Sequence, residues 1–154
     1  MPPRVIEDIA ELRPLVGQEV GASDWLTVDQ ALIAAFAEVT GDRQWIHLDA
    51  ERCRTESPYG TTVAHGFLTL ALLSRLHGQA VQVRGGFGRA INYGLNRVRF
   101  PAPVRTGTRI RGRSVLRSIE EIAGGVQLTW SITVEAEGQP KPALVAEWLV
   151  RLYP

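Results

Sequence analysis

A chain of 154 residues and 17.0 kDa has the size of one domain, large enough to bury a core without disulfide or metal staples. Hydrophobic residues at 45% and charged residues at 21% are globular averages and exclude wholesale disorder. Lys+Arg of 17 against Asp+Glu of 16 leave a formal charge of +1, too little to draw the protein onto nucleic acid or an anionic membrane.

The N-terminal residues Met1 to Asp8 lack the apolar core of a signal peptide, and the longest strongly apolar run, Gly66 to Leu73, is too short to span a bilayer. A soluble, cytoplasmic protein is expected. Residues 6–15 carry a short helical pattern closed by Pro14 and Gly17, so residues 1–16 read as a helical extension of a single domain covering 1–154. After an extended stretch from Asp24, a helix begins near Thr27 or Val28, with Thr27 as its N-cap. Ala31, Leu32, Ala35, Phe36 and Val39 recur at helical spacing, and Gly41 ends the helix in the position of a left-handed cap. Cys53, the one cysteine, lies between Arg52 and Arg54 on what looks like a surface helical turn. Beyond the turn Ser57-Pro58-Tyr59-Gly60, residues 64–77 form a helix apolar around nearly its whole circumference, which places it at the centre. The second half is strands: 90–100, 108–119, 126–135 and 143–153, separated by Gly- and Pro-containing turns. Val126, Leu128, Trp130, Ile132 and Val134 alternate with polar neighbours, the period of a sheet with one wet face. The pattern is α+β, a long central helix wrapped by a curved antiparallel sheet.

The chemistry concentrates in Thr40-Gly41-Asp42-Arg43-Gln44-Trp45-Ile46-His47. On a continuous helix, Asp42 and His47 would point about 140° apart. Gly41 lets the chain leave the helix and fold back, so both side chains can face one pocket as an acid–base pair. By itself Asp-x(4)-His is unspecific, since Asp42 could equally cap a turn. No His-x(3)-His spacing occurs, and no metal site is expected. His65-Gly66 opens the central helix, where unpaired amides and the dipole favour a developing negative charge. Arg97 and Arg99, with Arg105 nearby, could meet phosphates or simply guard a strand edge.

The segment Phe36 to His47 resembles the hydratase motif of the MaoC-like (R)-specific enoyl-CoA hydratases. Ala64-His65-Gly66-Phe67, and Val98-Arg99-Phe100-Pro101-Ala102-Pro103-Val104 with Gly107, resemble later landmarks of that family. The resemblance implies a hotdog fold, usually a homodimer, that adds water syn to a trans-2-enoyl-CoA and yields a (3R)-hydroxyacyl-CoA without a cofactor. It puts the catalytic pair on Asp42 and His47 and the oxyanion hole on the Gly66 amide. Gln44, Tyr59, His65, Asn92 and Arg97 are the further positions expected to touch substrate. Gln44-Trp45 stands where the family usually has Asn-Pro, a variation resembling the nodulation protein N-like subgroup. A thioesterase or acyl-carrier dehydratase of the same fold would place an acidic residue on the central helix, and Gly66 to Leu76 has none. A non-catalytic acyl-CoA-binding domain is the remaining alternative.

Overall fold

Where polar and apolar residues alternate, the chain builds long strands, and where apolar residues recur every third or fourth position it coils against them. A computed structural model describes residues 1–154. Strand β1 (Arg4–Ile6) leads through two single 3-10 turns, Ile9–Glu11 and Arg13–Leu15, to β2 (Glu19–Ala22) and β3 (Leu26–Val28). Helices α1 (Gln30–Thr40), α2 (Trp45–Leu48) and α3 (Ala50–Glu56) follow, then α4 (Gly66–Ala71) and α5 (Leu73–Ala80). Strands β4 (Val81–Val83), β5 (Arg89–Arg99), β6 (Thr108–Ile122), β7 (Gly125–Ala136) and β8 (Leu144–Tyr153) complete the chain.

The main sheet is antiparallel in the order β2-β6-β7-β8-β5, with β3 also pairing β6. Register shifts in β5 and β6 bend it. Its concave face carries the alternation read from the sequence: Val126, Leu128, Trp130, Ile132 and Val134 are all buried. They pack with Leu68, Leu72, Leu73 and Leu76 of α4 and α5 in one cluster of 25 buried residues. The α+β arrangement of helix and curved antiparallel sheet is thus present. No helix is long and apolar enough to cross a membrane.

Four local expectations need correction. Residues 1–16 are helical only in their two 3-10 turns, and β1 pairs in parallel with β4, a partner 77 residues along the chain. Thr27 does not cap α1, because it sits in β3 opposite Arg109; Asp29 caps instead, accepting the Leu32 amide at 2.8 Å. The central helix is interrupted at Leu72, and it is not enclosed, since Phe67 stands 72% exposed. Cys53 is buried rather than on the surface, its thiol directed at the Trp45 and Ile46 carbonyls. Burial and the neighbouring Asp49 push that thiol up, away from a nucleophilic thiolate.

Candidate active site

Helix α1 stops because Gly41 takes a left-handed conformation (φ 76°) that its neighbours could not adopt cheaply. The chain then runs through an exposed loop, Gly41–Gln44, before α2 presents His47 inward. Asp42, His47 and His65 come together here, each contributing one side-chain ligand atom, with all three atoms within 4.8 Å of one another.

The tautomer of His47 follows from its partner. Its Nδ1 lies 2.7 Å from the Val63 carbonyl oxygen, which only accepts, so Nδ1–H donates and Nε2 is the nitrogen left free of that bond. Val63 is itself fixed, its amide donating to the Ile46 carbonyl at 3.0 Å. Gln30, the first residue of α1, joins the parts: Nε2 donates to the His47 carbonyl (2.7 Å) and Oε1 accepts from Thr62 Oγ1 (2.5 Å). A cavity of about 360 Å³ opens beside His47, with Tyr59, Gly66 and Phe100 among its walls. The Gly66 amide begins α4 and has no helical acceptor one turn back. Glycine fits there because a Cβ would lie 3.3 Å from the Phe100 ring.

The His47 and His65 rings stack at 3.7 Å with 22° between their planes. Nearly parallel rings cannot aim both in-plane lone pairs at one ion about 2 Å from each nitrogen, so the cluster does not suit tetrahedral zinc. It suits a water held between a carboxylate and an imidazole.

Of the other positions singled out from the sequence, Tyr59 lines the His47 cavity and His65 belongs to the cluster. Gln44 lies on the loop, and its amide donates to Asp42 Oδ1 at 3.4 Å. Two positions lie elsewhere. The Asn92 Oδ1 accepts from Trp148 Nε1 (2.7 Å) beside a separate cavity of about 270 Å³ lined by His77 and Trp130. Arg97 is exposed on β5 beside Ser131, Val145 and Glu147, away from the His47 cavity. Gln30, Thr62 and the Val63 carbonyl were not foreseen. A glutamine at a helix start and a threonine in a loop are weak signals, and a main-chain carbonyl has none.

A curved sheet over a broken helix, with a carboxylate and two imidazoles gathered at that helix's first turn, describes a class of small enzyme folds rather than one activity. The chain belongs to the MaoC-like domain family, whose model matches residues 11–137. It is 54% identical over 149 residues to 3-hydroxyacyl-thioester dehydratase Z of Mycobacterium tuberculosis, covering 96% of this chain and 97% of that protein. It is 46% identical to nodulation protein N of Rhizobium meliloti, covering 92% and 88%. Among solved structures, the (R)-hydratase from A. caviae involved in PHA biosynthesis superposes with a TM-score of 0.69 at 26% identity, over 90% of this chain and 96% of that one. R-hydratase PhaJ1 from Pseudomonas aeruginosa gives 0.73 at 24% identity, over 96% and 86%. The fold is the hotdog of MaoC-like proteins, and the relatives named for an activity are dehydratases and hydratases.

Proposed function

We propose that the protein is an (R)-specific enoyl-CoA hydratase, working reversibly as a 3-hydroxyacyl-CoA dehydratase, with Asp42 and His47 as its acid–base pair. The observation that carries this reading is the locked tautomer of His47: with Nδ1–H committed to Val63, the free Nε2 is a base beside the Asp42 carboxylate. A water held between them gives one proton to His47 Nε2 while its oxygen bonds to C3 of the enoyl thioester. The double-bond electrons move onto the thioester oxygen, which the Gly66 amide stabilises as an enolate. His47 then returns the proton to C2 from the same face, and the addition is syn. Nothing in this sequence of steps calls for a cofactor. The CoA portion lies toward Tyr59, which lines the cavity, and Arg105, whose Nε donates to the Tyr59 carbonyl at 3.2 Å.

The working form is a cytoplasmic homodimer. Strand β5 supports this, because it is an open sheet edge 11 residues long with Ile91, Tyr93 and Leu95 exposed.

The test is incubation with crotonyl-CoA, following loss of the enoyl-thioester absorbance and the chirality of the product. (3R)-hydroxybutyryl-CoA is expected. Asp42→Asn and His47→Gln each lower kcat by at least ~100-fold while the thermal midpoint stays close to wild type. Bound acyl-CoA without turnover identifies a binding domain instead, and near-normal rates in either variant remove the mechanism.

A further inference from the structure

The loop carrying Asp42 is held almost entirely by its own neighbours. Its amides bond to the Ala37 carbonyl, Thr40 Oγ1, the Gly41 carbonyl and Asp42 Oδ1, and the Arg43 guanidinium pairs with Glu38. One hydrogen bond ties it to a distant part of the chain. His65 lies 2.9 Å by Nε2 from the Asp42 main-chain oxygen, and since a carbonyl only accepts, the imidazole donates Nε2–H. His65 is 3% exposed, meets Phe36 edge-on at 5.0 Å, and presents its face to His47 at 3.7 Å. Its second nitrogen, Nδ1, is buried without any partner.

That arrangement is costly if His65 only fills space. A phenyl ring, though somewhat larger, would stack between Phe36 and His47 with no unpaired buried acceptor. What a phenyl ring lacks is the donor aimed at Asp42. His65 also serves as N-cap of α4 without a capping side-chain bond, the ring being turned toward Asp42 instead.

We propose that His65 is the positioning residue of this site: its Nε2–H anchors the Asp42 backbone while its ring braces the face of His47, setting the gap in which the water is held. It touches no reacting atom and acts through the other two. The catalytic arm of the test rests on the hydratase reading; the structural arm stands without it.

His65→Phe keeps the stacked ring and removes the donor, whereas His65→Gln retains an N–H of similar reach. With crotonyl-CoA, His65→Phe is expected to lower kcat roughly tenfold to a hundredfold, as misplacement of a reacting group does, with KM within about twofold. His65→Gln recovers much of that loss. Equal losses in both variants, or a wild-type rate in His65→Phe, overturn the proposal. Long-range proton–nitrogen NMR on the wild-type protein reads the His65 tautomer directly and needs no variant to fold. Nε2–H is expected, and Nδ1–H overturns the proposal. Backbone order parameters for Asp42–Gln44 are expected to drop toward ~0.6 in His65→Phe and to stay high in His65→Gln; an unchanged loop in His65→Phe refutes the anchor. Should the wild-type protein not hydrate any enoyl-CoA, the hydratase reading fails while the tautomer and loop measurements still decide the role of His65.

Discussion

At the scale of single residues, each of the three histidines has a different task imposed by its nearest oxygen. His47 and His65 each face a carbonyl, so both have one N–H committed to main chain. His77 instead meets the Ser114 hydroxyl at 2.9 Å and sits edge-on to Trp130 and Trp148. Burial there pushes His77 from 6.5 down to about 4. Between those values the unfolded chain binds a proton that the folded protein refuses. The stabilisation is complete above about pH 6.5, declines as pH falls toward 4, and amounts to about 3 kcal/mol. Urea midpoints measured across that interval should fall in the wild type and slope much less in His77→Gln. The pairing of Asp42 with His47 was legible in the sequence because Gly41 advertised the reversal. Its supports were not, since neither the Val63 carbonyl nor the reach of Gln30 has a residue signature.

At the scale of elements, helix α5 comes nearest to strand β6 at a residue that has no side chain. A Cβ on Gly112 would come within 2.9 Å of Leu76 Cβ, so this glycine lets α5 settle onto β6. Gly112→Ala should therefore overpack the contact and cost about 1–3 kcal/mol, read as a thermal midpoint lower by roughly 5 °C. Removing Trp130, 1% exposed at the centre of β7, should cost more, about 3–5 kcal/mol on truncation to Ala by chemical denaturation. Strands β6 to β8 were readable within a few residues because their alternation is local and their turns carry glycine. The start of α1 was not, because Thr27 is equally good as a cap and as a strand residue, and pairing with Arg109 decided it. Pairing of β1 with β4 was beyond reach for the same reason: no local pattern names a partner so far along the chain.

At the scale of the whole molecule, the two sheet edges are unlike. One is shared by the short strands β2 and β3, and the other is β5, exposed along most of its length. Beside it the outer side of α4 leaves Phe67 uncovered. A second copy of the chain placed along this edge would cover Tyr93, Leu95 and Phe67 together. Sedimentation should accordingly give twice 17.0 kDa, and Tyr93→Arg combined with Leu95→Arg should yield monomers. Persistence of the dimer in that double variant would relocate the interface. The exposure of the helix thus corrects the enclosed helix read from its apolar circumference: residues apolar on all sides have several faces to bury, and one chain covers only some of them.

The topology also bears on how the protein comes to be active. Hairpins β6–β7 and β7–β8 join neighbours in sequence, whereas β2 reaches β6, and β5 reaches β8, only after long stretches of chain have closed. Local hairpins are quick to assemble and distant closures slow. The bond from His65 to Asp42 spans 23 residues between elements outside those hairpins. In stopped-flow refolding, recovery of turnover should lag behind the fluorescence of the buried tryptophans.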